Sequence, residues 1–387
     1  MEDDGTEIIE GQEGFDEEKW YSYTAQTEAT TNGGTSKWAN AVTISEGGTI
    51  IGYFVWIPRY AYRIVYFDTP EHKEAYRQTG ATDGIIGYSD ARGFVHSDGT
   101  TPSNMETPVV SIAVGTNKLR PHPAFEDGTN SDYTQGEWNT ALEGIWIAKY
   151  ETSTGVKSVP GKLALGSRTI GDMYTMALNF NSINNSHMLK NSEWGAMAYF
   201  TDSKYGRNGT DVTSNGENCY TAGASGATVK TNPLQSTTGN YYGIYDVAGG
   251  CYEYVTGYIA TSLNTNGNSF AATNPSAADA TNDKTTSTEY ATVYDILSAE
   301  ASLTSNYLIN VNKKFGDAII ETSTGVGSTA WNSETSWFLG FNFSNKGFFF
   351  ERGGYHGDSE DAGIFNFYFA KGDKITNKSF RLALSVI

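Results

Sequence analysis

Phe348-Phe-Phe-Glu-Arg-Gly-Gly354, Ile364-Phe-Asn-Phe-Tyr-Phe369 and Ser379-Phe-Arg-Leu-Ala-Leu384 crowd one C-terminal stretch. Aromatic residues suit a pleated, half-buried surface, and the Gly pair supplies turns that a Cβ forbids. These runs therefore read as short strands between tight turns. The last run alternates, which predicts a half-buried antiparallel strand. Trp337-Phe-Leu-Gly-Phe-Asn-Phe343 has the same texture. Further upstream, Thr49–Ile57 (stopped by Pro58), Tyr60–Phe67 and Gly144–Tyr150 are β-branched and aromatic strand candidates. Residues 68–140 read as loops and short strands broken by Gly, Pro, Asp and Asn. One helix is expected within 187–200. Trp194, Met197 and Ala198 share a face there, Asn191 or Ser192 caps it, and Glu193 sits in the first turn. A second, short helix is expected over Glu289–Leu297. The fold class expected is α+β, with short antiparallel strands, few helices and much irregular structure.

The whole chain fits that picture. Its 387 residues include 25 Tyr, 19 Phe and 8 Trp, too much apolar surface for a disordered polymer. A net charge of −18 leaves no basic footprint for a phosphate backbone, so nucleic acid is not an expected partner. No run approaches the ~18 apolar residues of a membrane span, so no direct membrane insertion is expected. The acidic start, Met1-Glu-Asp-Asp-Gly5, does not read as a signal peptide. Residues 1–19 hold nine acids and one base, and 1–45 is expected as a solvated tail or linker. Residues 46–387 are expected as one domain, with a Thr/Asn/Ala-rich insertion at about 258–320 and a ligand-display segment at about 331–387.

Signatures of catalysis are scarce. His72, His96, His122, His187 and His356 are scattered, and none is paired at ligand spacing. No nucleophile elbow, Walker loop or dinucleotide fingerprint occurs. Asp127-Gly-Thr-Asn-Ser-Asp132 is rich in oxygens, yet lacks the later Gly and Glu of a calcium loop. Cys219 and Cys251 suit either one disulfide or two buried thiols. The C-terminal mixture of aromatic and small polar residues is the composition of recognition surfaces. Phe348–Phe350, Phe365 and Phe367 are expected in the core. Tyr355, His356, Asp358, Asp361, Tyr368 and Phe369 flank Gly-rich turns and are expected at the surface.

Several strings carry a resemblance. Tyr53-Phe-Val-Trp-Ile-Pro58, Gly144-Ile-Trp-Ile-Ala-Lys-Tyr-Glu-Thr152, Asn191-Ser-Glu-Trp-Gly-Ala-Met-Ala-Tyr199, Asn240-Tyr-Tyr-Gly-Ile-Tyr-Asp-Val-Ala-Gly-Gly-Cys-Tyr-Glu-Tyr254, Arg352-Gly-Gly354 and Ser379-Phe-Arg-Leu382 occur in that order. Together they resemble the formylglycine-generating-enzyme (sulfatase-modifying factor) family, over roughly residues 50–387. The resemblance implies a C-type-lectin-like fold. It does not carry the chemistry: the family's oxidising cysteines follow the Arg-Gly-Gly motif, where this chain has Tyr355-His-Gly-Asp-Ser-Glu-Asp361. Family members bind calcium near the segment matching 249–253. Gly250 replaces the Asn there and Glu253 remains, a weak metal candidate.

A closer resemblance is to a non-enzymatic branch, the variable proteins of diversity-generating retroelements in phages and gut bacteria. It rests on Ala330–Phe338, Lys314–Ser323, Phe350-Glu-Arg-Gly-Gly354, Asp361-Ala-Gly-Ile-Phe-Asn-Phe367 and Asn377-Lys-Ser-Phe-Arg381. The resemblance implies no enzyme, no cofactor, and a scaffold that displays freely varied side chains. Residues reachable by adenine mutation of an Asn codon make the expected contact set: Tyr355, His356, Gly357, Asp358, Asp361, Asn366, Tyr368, Phe369, Asp373 and Thr376. Glu360, Lys371, Lys374 and Lys378 are not reachable that way and count as fixed. Arg352, Gly353, Gly354, Gly363, Phe380 and Arg381 are the expected scaffold, the arginines pairing with buried acceptors such as Glu351. The function expected is a ligand-binding adhesin or receptor-binding module, extracellular, on a virion or bacterial surface. Its partner would be a host or cell-surface protein or glycan, and a homo-oligomer is compatible. The alternatives are a structural virion or pilus subunit and a formylglycine-generating-type oxidase.

Overall fold

The computed structural model describes residues 23–24, 26, 33–65, 84–88, 120–127, 138–203, 205–208, 210–260, 270, 288–295, 316–319, 349–358 and 361–385. The α+β class is observed, with mostly antiparallel sheets and two α-helices among the described residues. One sheet has the order β1 (Asn40–Ile44), β2 (Ile50–Pro58), β6 (Gly144–Ala148), β13 (Leu382–Leu384), β7 (Ser186–Met188). A second has the order β11 (Phe367–Ala370), β10 (Phe349–Arg352), β8 (Tyr252–Ala260), β12 (Lys378–Phe380), with β9 (Thr292–Asp295) also on β8. A third joins β4 (Gly84–Tyr88), β3 (Ala61–Val65) and β5 (Arg120–Pro121). β12 and β9 run parallel to β8; the other ladders are antiparallel.

Helix α1 (Ile170–Leu178) was not anticipated, although Thr169 and Asp172 cap it reciprocally, the side chain of each accepting the other's backbone N–H. Helix α2 (Asn191–Asp202) forms where one was expected, but it is buried on every face. Its Glu193 carboxylate accepts the Lys190 N–H at 2.8 Å, so the cap comes from the first turn and not from Asn191 or Ser192. Glu193 also faces His187 Nε2 at 3.0 Å, while His187 Nδ1 donates to Asn185 O at 2.9 Å. Gly195 is required on this helix: a Cβ there would lie 1.8 Å from Gly316 O. Trp194 Nε1 donates to Ile364 O at 2.7 Å, which ties α2 to the C-terminal loop.

Three expectations are corrected. Thr292–Asp295 is a strand and not part of a helix, because its β-branched residues extend beside β8. The run 379–384 divides between two strands and each of its residues is buried, because it passes between the two large sheets. The boundary at 46 also moves, because β1 lies before it. Trp38 is core, Tyr258 and Phe270 pack with Phe349, and buried Asp317 accepts from Tyr294 Oη at 3.0 Å. Residues 1–22 and 331–348 lie outside the described residues, as do Gly128–Asp132.

Arg381 separates β12 from β13. It donates to both Glu253 oxygens, to Ala148 O at 2.9 Å and to Tyr245 O at 2.9 Å. Two more buried acids adjoin it. Asp246 accepts from the Ala222 N–H at 3.0 Å, and Glu151 accepts from the Cys251 N–H at 2.9 Å and from Ser379 Oγ at 2.5 Å. Burial, then the neighbouring acids, push Glu151 well up. Burial raises Glu253 to about 7 and Asp246 to about 6, against the pull of Arg381. The unfolded chain releases those protons near 4.5 and 3.8, so the folded state holds more protons between about pH 4 and pH 7. Stability should fall as pH rises through that window. Thermal unfolding should give a lower Tm at pH 8 than at pH 5. Glu151→Gln, which removes a charge, keeps the Cys251 bond through its oxygen and donates to Ser379 Oγ through its amide nitrogen, should shrink the drop. An unchanged pH profile in that variant would show that Glu151 holds no proton in the fold.

Candidate functional site

The turn after β10 positions the site. Arg352 enters the interior, where Nη1 donates to Asn191 Oδ1 at 3.0 Å and to Asp317 O at 2.9 Å, and Nη2 donates to Ala318 O at 3.3 Å. Its guanidinium lies 5.6 Å from the Trp194 ring centre. Glu351, offered in the sequence as its partner, instead pairs with Lys378, whose ammonium sits 5.3 Å from the Tyr254 ring centre. Gly353 and Gly354 then take φ of +82° and +71°. A Cβ on Gly354 would lie 2.8 Å from Ala362 Cα, so the turn tolerates no side chain. Gly363, Phe380 and Arg381 are buried.

The loop 355–358 rests on the start of β8. His356 N–H donates to Gly250 O at 2.9 Å, and Gly249 N–H donates to Gly353 O at 3.0 Å. Asp358 Oδ2 accepts the Tyr355 N–H at 3.0 Å and the Asp358 N–H returns to Tyr355 O at 2.9 Å, closing the loop on itself. The Tyr355 ring lies 5.0 Å from Tyr252, tilted 35°, and 5.1 Å from His356 at 66°. Burial and the Asp358 carboxylate push the Tyr252 hydroxyl above its usual range, so it stays protonated. Tyr252, Tyr355, His356 and Asp358 are each half-buried.

A disulfide joins Cys219 to Cys251 directly beneath this loop. It fixes the 212–222 loop to the residue that precedes Tyr252.

The expected contact residues divide. Tyr355, His356, Gly357 and Asp358 come together on the rim, and Asp361 is half-buried at the loop's far end. Tyr368 is half-buried on edge strand β11, and Asp373 and Thr376 sit in the next loop, where Asp373 O accepts from Tyr254 Oη at 3.2 Å. Two do not belong. Phe369 is core, 4.9 Å from the Phe350 ring, because strand alternation places it on the face of Phe367. Asn366 is buried, its Nδ2 donating to Asp361 O at 2.7 Å to brace the loop. Glu253, the weak metal candidate, pairs with Arg381 through both oxygens. Tyr252 was missed. Nothing in its local sequence shows that a loop a hundred residues later will cover one side of its ring.

No protein-family model matches the chain, and no curated protein matches it.

Truncation separates the two classes. Phe369→Ala should cost about 3–5 kcal/mol in denaturant unfolding, as core Phe deletions do. Tyr355→Ala should cost under about 1.5 kcal/mol, since its ring is only partly buried. Equal losses would place Tyr355 in the core. Reducing the disulfide, whose cysteines are 32 residues apart, should cost about 3–4 kcal/mol by loop entropy.

Proposed function

We propose that this chain is a ligand-binding surface protein, an adhesin or receptor-binding module of C-type-lectin-like fold. In this reading it is related to the variable proteins of diversity-generating retroelements and is not an enzyme. The observation that carries it is the half-open cluster of Tyr252, Tyr355 and His356, closed by Asp358. Aromatic rings held on a rigid base offer large contact area at little entropic cost. The base is rigid for stated reasons: a glycine turn, an interior Arg352 and a disulfide. The motif residues that carry the family resemblance lie at the supports of this loop, while the residues reachable by adenine mutation include its tip. The stretch after Arg352-Gly-Gly354 has no thiol, and both cysteines are engaged in the disulfide, which disfavours thiol oxidation chemistry there. A disulfide also suits an oxidising, extracellular location on a virion or bacterial surface. A host or cell-surface protein or glycan is the proposed partner.

Arrays of glycans and of cell-surface ectodomains, probed with the intact protein, test this. A hit should weaken about 30-fold or more in the Tyr252→Ala/Tyr355→Ala variant, the loss expected of two central anchors. The melting temperature should move by only a few degrees. Unchanged binding in that variant would remove the cluster from the interface. Sequencing the 355–376 codons in the native population tests the diversification: changes should concentrate at the adenine-derived positions, and an invariant segment would mean a fixed binder.

A further inference from the structure

Segments 162–168 and 371–378 meet beside the Tyr252–Tyr355 pair. Ser167 N–H donates to Ile375 O at 2.8 Å, Ile170 N–H donates to Gly372 O at 3.1 Å, and Arg168 pairs with Ile375 in an antiparallel bridge. Gly166 fits against Thr376, where a Cβ would lie 2.1 Å from its carbonyl oxygen. Tyr252 N–H donates to Asn377 O at 3.0 Å, which joins this face to the aromatic cluster.

The charge here reverses that of the protein. The two segments hold five basic residues (Lys162, Arg168, Lys371, Lys374 and Lys378) and one acid, Asp373, in a chain of net charge −18. Lys378 is neutralised by Glu351. Lys162, Arg168 and Lys374 belong to none of the ion pairs found among the described residues. Two of the four large apolar side chains exposed among the described residues lie in the same segments: Leu163 at 51% and Ile375 at 38%. The nearest other acid in sequence, Asp172, is engaged at the start of α1.

We infer that this face binds a short acidic polypeptide segment of a partner protein, with aliphatic side chains between its acids. The inference rests on reading the chain as a binding protein and names its partner's chemistry; it does not need the tyrosine cluster. Charge complementarity selects an anionic partner. The shortness of the two segments, seven and eight residues, selects a short one. Beyond the Debye length of about 8 Å at physiological salt the local field is screened, and an extended polyanion would meet an otherwise acidic surface. Leu163 and Ile375 select a partner with apolar side chains, which a bare polyanion lacks.

The test is fluorescence anisotropy with the full chain and a labelled peptide of repeated Glu-Glu-Leu-Ser, at low and physiological salt. The expected result is saturable binding that weakens about tenfold in Lys162→Glu/Lys374→Glu, as for loss of complementary charge. Leu163→Ser should weaken it severalfold with no change in salt dependence. The melting temperature of each variant should match the parent, since all three positions are exposed. A milder Lys162→Gln/Lys374→Gln variant should fall between. Equal affinity for poly-glutamate or dextran sulfate would overturn the proposal, reducing the face to a charge patch. Capture by phosphatidylglycerol vesicles without peptide binding would also overturn it, in favour of a lipid surface. Insensitivity to both lysine variants would overturn it as well. Because Tyr252→Ala/Tyr355→Ala leaves this face intact, loss of binding there and loss here are separable.

Discussion

The architecture turns on one buried guanidinium. Arg381 stands at the point where the chain leaves one large sheet and enters the other. It holds β8 through Glu253, β6 through Ala148 O, and the 240–250 loop through Tyr245 O. A fully buried Arg–Glu pair adds little net stability over a well-packed apolar pair, yet removing one partner leaves a stranded charge that costs several kcal/mol. Its value here is positional. A guanidinium with donors in a fixed plane can satisfy acceptors on three separate segments in only one relative arrangement. The two acids beside it, Glu151 and Asp246, reach Cys251 and Ala222 and extend the same ordering to both sides of the disulfide.

That ordering is transmitted outward in short steps. Cys251 precedes Tyr252, Gly250 receives the His356 N–H, and Gly249 bonds to Gly353. The exposed loop therefore sits on backbone whose other side is fixed by buried charge. Arg352 repeats the scheme on a second line, satisfying α2 and the Asp317 turn from below the loop. The loop and its base separate their tasks. Interior residues set the geometry on which the Tyr355 and His356 rings sit, and Asp358 closes the loop that carries them.

How much of this was legible follows from the range of the interactions. β2, β6, β10, β11 and α2 came out of local composition, because β-branched and aromatic runs and a capped amphipathic turn are local signals. The buried state of Arg352 and Arg381 came from resemblance alone, since no spacing announces a buried arginine. Phe369 and Asn366 were misplaced because neighbourhood to Gly-rich turns says little about which face of a strand a side chain takes; the pairing of β10 with β11 decides it. Thr292–Asp295 was misread as helix because the parallel neighbour that extends it lies more than thirty residues upstream. Tyr252, Leu163 and Ile375 were missed for the same reason: each owes its place on the surface to a segment distant in sequence.

The parallel pairing of β12 with β8, followed at once by the insertion of β13 between β6 and β7, sets an order of events in synthesis. Both large sheets have a place reserved for strands that the ribosome delivers after the 355–358 loop. The nascent chain must keep β6, β7 and β8 unpaired along those edges until residues 378–384 emerge. Such non-local closure is slow relative to local folding. It also acts as a check on full-length translation. A product interrupted before residue 381 lacks Arg381 and β13, which leaves β6 and β7 unjoined and β8 without its β12 edge.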